Sequence, residues 1–89
     1  MATLFVRHQV ADFAKWKSGY DSLESMRKER GVNSDGVYQS ADDANDVTVY
    51  HEFDTIDAAK AFAGHADLKT AMDELGVQGA PQIWFTNRV

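Results

Sequence analysis

The chain has no cysteine, a single proline, and no apolar run approaching the roughly 18 to 20 residues that cross a bilayer. Each absence excludes a class. Without cysteine there are no disulfides, no thiolate nucleophile and no cysteine-ligated zinc or iron–sulfur cluster. The N-terminus lacks the charged-then-apolar layout of a secretory signal, so a cytoplasmic location and no membrane partner are the expectation. Basic residues are the scarcer sign: nine Lys and Arg face 14 Asp and Glu, a net charge of −5. A nucleic-acid binder needs a basic stripe to displace counterions from phosphates, so no nucleic-acid partner is expected. The one basic cluster, Arg27-Lys28-Glu29-Arg30, reads as favourable charge at a helix C-terminus. Glycine-rich phosphate loops and serine-elbow patterns are also missing, which removes nucleotide hydrolysis and the usual serine hydrolases.

What remains is an ordinary globular composition, 44% hydrophobic and 26% charged, in 89 residues. That is one domain, spanning 1–89. So short a chain buries only about two-thirds of the surface its unfolded form exposes, and without disulfides the expected source of further burial is a second copy.

The periodicities are legible. Leu4, Val6, His8 and Val10 alternate with Phe5, Arg7 and Gln9, which predicts a strand over 3–10. From Asp12, an N-cap, the period lengthens: Phe13, Trp16, Tyr20, Leu23 and Met26 recur at helical steps until Gly31. Val37 to Ser40 and Val47 to Phe53 form a hairpin across an acidic turn, with His51 on the apolar face of its second strand. Asp54 or Thr55 caps a helix through Ile56, Ala59, Phe62 and Ala63; Gly64 interrupts it, a second segment from Asp67 carries Leu68, Met72 and Leu75, and Gly76 stops it. Gly79 and Pro81 lead into a last strand, Gln82 to Asn87.

The order β-α-β-β-α-β predicts an α+β, ferredoxin-like fold: a four-stranded antiparallel sheet with helices on one face. Residues 6–13 lie over 49–56 at a constant offset of 43. Split β-α-β units of this kind are expected to leave the first and third strands central and mutually parallel, and if the repeat also sets the register, His8 and His51 are side by side. On the opposite sheet face fall Phe5, Tyr38, Tyr50 and Trp84, together with Arg7 and Glu52 as an expected ion pair. Four large aromatics left in water make an unusually big apolar patch, so the chain is expected to pair with itself, sheet to sheet, as a homodimer through these residues.

The run Val6-x-His8-x-Val10-x-Asp12-Phe13-x-x-Trp16-x-x-x-Tyr20-Asp21, followed by Ala61-Phe62, Leu68-Lys69-x-Ala71-Met72 and Gly76-Val77-x-Gly79-x-Pro81, resembles small bacterial members of the dimeric α+β barrel superfamily. The resemblance, to antibiotic biosynthesis monooxygenase-like and cyclase-like proteins, covers nearly the whole chain. It implies the ferredoxin-like homodimer and a range of chemistries: cofactor-independent monooxygenation, isomerisation or cyclisation, haem degradation, or a stress-response role without catalysis.

His8 and His51 are the candidate catalytic pair, since an imidazole is a proton acceptor near neutral pH. Tyr20 is the candidate donor to a developing oxyanion, and Trp16, Phe62 and Met72 are the candidate walls for a small aromatic, hydrophobic or enolisable ligand. The same residues also fit a plain core, so two readings stay open. One is a cofactor-free monooxygenase, isomerase or cyclase; the other is a non-catalytic dimeric binding or stress-response protein. Cavity size separates them, a few hundred cubic ångströms beside both histidines favouring the enzyme and a cleft collapsed onto Trp16 and Tyr20 favouring the other. No cofactor is expected, and no metal, because no third ligand shares the histidine face.

Overall fold

The computed structural model describes residues 1–89. Its elements are β1 (Ala2–Val10), α1 (Phe13–Ser22), α2 (Glu24–Glu29), β2 (Ser34–Gln39), β3 (Asp46–Phe53), α3 (Ile56–Ala63), α4 (Ala66–Glu74) and β4 (Val77–Asn87). They build one four-stranded antiparallel sheet in the order β2-β3-β1-β4, with the ferredoxin-like α+β architecture read from the sequence.

Local chemistry sets the boundaries. The Asp12 carboxylate accepts the backbone N–H of Lys15 to open α1, and the Thr55 hydroxyl accepts that of Ala58 to open α3. Gly31 and Gly76, at φ 96° and 81°, take the left-handed conformation that ends α2 and α4. Two details of the helices differ from the sequence reading. The first helix breaks at Leu23 into α1 and α2, and α4 begins one residue early, because His65 caps it by accepting the Asp67 N–H at Nδ1.

Alternation along β1 and β3 decides the core. Leu4, Val6, His8 and Val10, with Val47, Val49, His51 and Phe53, turn inward and are all buried. The helices cover that face in two apolar groups: Phe53, Phe62, Ala59 and Val32 with Leu4 and Val6 at one end, and Trp16, Tyr20, Val10, Val47 and Val49 at the other. Gly19 on α1 lets Leu75 of α4 close onto the backbone, where a Cβ would collide with the leucine methyl. No helix of the chain is long and apolar enough to cross a membrane.

Three expectations about register are overturned. β1 and β3 run antiparallel, not parallel, because the hairpin between β2 and β3 reverses the second half of the chain. His8 therefore faces Val47 and His51 faces Leu4, so the two histidines share a face but sit four positions apart, roughly 13 Å along the strands. Arg7 opposes Thr48 and pairs with Asp46 at 2.6 Å, while Glu52 opposes Thr3. Arg7 and Glu52 are too far apart in register to meet.

β4 is also longer than expected and irregular. Arg7 pairs with Gln82 but Gln9 with Gln78, so Gly79-Ala80-Pro81 bulge opposite the single residue His8, with Gly79 at φ 70°. On the helix-free face, Phe5 stacks on Trp84 at 5.4 Å between ring centres and Tyr38 on Tyr50 at 6.3 Å. Tyr50 also lies flat against Gly36, where a β-carbon would strike its ring.

Candidate functional site

Between the two apolar groups is a narrow cavity of about 50 Å³, lined by His8 and His51 together with Trp16, Tyr20, Phe62 and Met72. All six candidate residues from the sequence reading thus border one space, although the two histidines enter it from different ends. Its volume lies on the collapsed side of the criterion stated above. A cavity of about 150 Å³ is what a single benzene ring occupies, so this one holds water at most in the conformation described.

The His51 end carries a chain of hydrogen bonds. The Tyr20 hydroxyl donates to the Asp35 carboxylate at 2.6 Å and lies 2.8 Å from His51 Nε2. A phenol has one proton to give, and Asp35 takes it; His51 therefore donates from Nε2–H to the phenolic oxygen, and its Nδ1 is left as a bare lone pair. That Nδ1 is buried and has no partner. The tautomer is assigned from this network.

Arg27 completes the arrangement. Its guanidinium lies 3.7 Å over the Tyr20 ring, Nη1 donates to the Tyr20 carbonyl at 2.5 Å, and Nε is 3.5 Å from the Asp35 carboxylate. It is 6% exposed, a buried cation on the cavity wall. Burial and then the Arg27 charge push the His51 imidazole down to about 4, with Asp35 opposing, so it is neutral at pH 7. Burial and the Asp35 hydrogen bond push the Tyr20 hydroxyl far above its ordinary value, which removes it as a phenolate base.

The His8 end is simpler. Its ring meets the edge of Trp16 at 5.5 Å, its Nδ1 is likewise buried without a partner, and burial lowers its pKa. No carboxylate or hydroxyl orients it. No group of three His, Asp or Glu side chains converges anywhere in the fold.

Sequence reading missed Arg27 and Asp35. Arg27 lies seven residues after Tyr20, on the same stripe as Phe13 and Trp16, which is the signal that it points inward. Asp35 precedes the Val37 start read from the sequence; β2 in fact begins at Ser34, and the two-residue step from Val37 puts Asp35 on the inner face, directly opposite His51.

No family model and no curated protein matches the chain. Solved structures do. A provisionally named antibiotic biosynthesis monooxygenase from Bordetella bronchiseptica superposes with a TM-score of 0.83 at 16% identity, covering 99% of this chain and 96% of that one. A similarly named protein from Nitrosomonas europaea gives 0.77 at 18%, covering 100% and 99%. SnoaB, a cofactor-independent oxygenase from Streptomyces nogalater, gives 0.74 at 12%, covering 99% and 94%. At such identities the likeness is one of architecture, and it bears out the resemblance read from the sequence: the chain has the fold of the antibiotic biosynthesis monooxygenase-like proteins.

Proposed function

We propose that the chain is a cofactor-independent monooxygenase acting on a small enolisable aromatic molecule, with His51 as proton acceptor. The observation that carries this reading is the Asp35–Tyr20–His51 chain, which ends in a buried, unpartnered imidazole nitrogen beside a buried arginine. His51 Nδ1 removes a proton from the substrate's activated C–H, and the resulting imidazolium is held through Nε2–H by Tyr20 and Asp35. Arg27, on the same cavity wall, supplies the positive charge that would stabilise the enolate formed. Tyr20, whose proton goes to Asp35, positions His51 rather than donating to the oxyanion. The electron-rich carbanion then reduces dioxygen directly: a CH₂ group becomes C=O, one oxygen atom entering the product and the other leaving as water. His8, Trp16, Phe62 and Met72 supply the walls. The similarity of fold to SnoaB supports the reaction class.

The same reading makes the working unit a homodimer in the cytoplasm, joined through Phe5, Tyr38, Tyr50 and Trp84. Tyr38 is 61% exposed and Trp84 41% exposed, an aromatic surface that a second sheet would cover. A single 10 kDa species in micromolar sedimentation velocity would remove the dimer; a doubled mass lost in Trp84→Glu is the expected result.

The decisive test is oxygen uptake with anthrone, an enolisable aromatic ketone whose oxidation gives anthraquinone and water. Uptake above the uncatalysed rate that disappears in His51→Gln is expected, and full retention in that variant overturns the assignment. A second reading, a non-catalytic binding or stress-response module, is favoured by the 50 Å³ volume alone. It predicts no uptake over background by the native protein.

A further inference from the structure

The proposed function needs room that the buried cavity does not have, and the fold holds that room immediately outside. A groove of about 390 Å³ runs between α4 and the edge strand β4, floored by Val77, Pro81 and Ile83 and rimmed by Lys69 and Asp73. Leu68 and Met72 line both spaces. One face of these two side chains meets the histidine cavity and the other meets the groove, so they are the partition between them.

The partition is loosely packed. α4 buries none of its residues completely; Leu68, Ala71, Met72 and Leu75 are all half-buried. The helix is bounded by Gly64 and by Gly76, and Leu75 against Gly19 fastens its C-terminal end. Met72 has an unbranched, three-torsion side chain, the type that repacks at least cost. Displacing it joins a space too small for one ring to one of ligand size, for which about 300 Å³ or more is usual.

We propose that the cavity and the groove are two halves of one ligand site, gated by Met72 with Leu68, so that the molecule bound is elongated. Its acidic head lies beside His51 and Arg27, and its apolar body lies along Ile83 and Pro81 between α4 and β4. This rests on the reading of His51 as proton acceptor for the identity of the head, but the gate itself is a matter of packing. Met72 thereby becomes a length-selecting residue: its size sets whether a second ring is accepted without rearrangement.

The test uses 2-naphthol, unreactive and two rings long, followed by NMR on the native protein with labelled methionine methyls, isoleucine methyls and histidine rings. One saturable phase that moves the His51 ring, the Met72 methyl and the Ile83 methyl with a common Kd is expected. Met72→Ala should tighten the affinity read at His51 by about tenfold, the order of one displaced side chain's packing and rotamer cost. Ile83→Ala, at a 39% exposed position that tolerates truncation, should weaken it although Ile83 lies in the groove. Shifts confined to Ile83, no shifts at all, or an affinity at His51 indifferent to Ile83→Ala each overturn the gate. The two proposals separate cleanly. If 2-naphthol spans both spaces while His51→Gln keeps full anthrone turnover, the gate stands and the assignment of His51 falls. If 2-naphthol reaches only the groove, the gate falls whatever the turnover.

Discussion

His8 and His51 occupy equivalent places in the two halves of the chain, yet the fold treats them differently. Each follows a β-branched residue by two positions, each faces the helices, and each hides an unpartnered Nδ1. His51 lies opposite Asp35 and under Tyr20, so its far nitrogen is engaged and its tautomer fixed. His8 lies opposite Val47 on one side and the β4 bulge on the other, with the Trp16 edge against its ring and no side chain hydrogen-bonded to it. An imidazole becomes a directed base when something holds its second nitrogen, and only one end of this cavity supplies that. The internal repeat thus copied the strand and not the site.

The largest test of this difference is kinetic. Loss of a positioned base lowers rate by about 10² or more, so His51→Gln should remove that much anthrone-dependent oxygen uptake while His8→Gln costs less than about tenfold. Equal losses would make the pair work as a unit and break the contrast. The next effect is on stability against pH. A histidine held near 4 when folded and near 6.5 when unfolded takes up protons first in the unfolded state, so stability falls as pH drops from 6.5 to 4 and then levels. His51 contributes up to about 3 kcal/mol of that fall. Urea unfolding of the native protein and of each Gln variant measures it; the slope should flatten more in His51→Gln than in His8→Gln.

How much of this was readable beforehand follows from what periodicity encodes. Alternation in β1 and β3 put His8 and His51 on the inner face, and the step of three or four placed Trp16 and Tyr20 beneath them. The glycines at 31, 64 and 76 marked where the helices stop. Periodicity says nothing of register between strands, however. Aligning the repeat halves put the histidines side by side, whereas a hairpin that reverses the second half carries them to opposite ends. Charge told only part of the story: Arg27 does lie with Lys28 in the last turn of α2, as its basic neighbours suggested, but its spacing from Tyr20 follows the apolar stripe and its side chain is buried. The β4 bulge opposite His8 depends on pairing with β1, and no local pattern at Gly79 or Pro81 reveals its partner.

A smaller effect tests the His51 end by itself. Tyr20→Phe keeps the ring under Arg27 but deletes the hydroxyl, leaving the buried His51 N–H without an acceptor, while Asp35 Oδ2 keeps Arg27 and solvent. Loss of such a buried link costs about 1–3 kcal/mol in urea unfolding. The ring nitrogen shifts of His51 should change with it, because the tautomer is no longer fixed; those of His8 should not. An unchanged His51 spectrum would mean that the tautomer is set without Tyr20.

The smallest expected effect is at the other end. Asp46 pairs with Arg7 on the surface, and its charge acts on His8 only as the weakest of the three influences there, opposing the downward push of burial. Asp46→Asn should therefore move the His8 titration slightly further down in an NMR pH series and leave His51 where it was. The sign follows from removing a negative charge that favours the imidazolium. A large shift at His8 would show that the Arg7–Asp46 pair reaches through the sheet and holds that histidine as Asp35 and Tyr20 hold the other. The two ends would then differ in the identity of the holder, and His8 would stand as a second directed base instead of a wall.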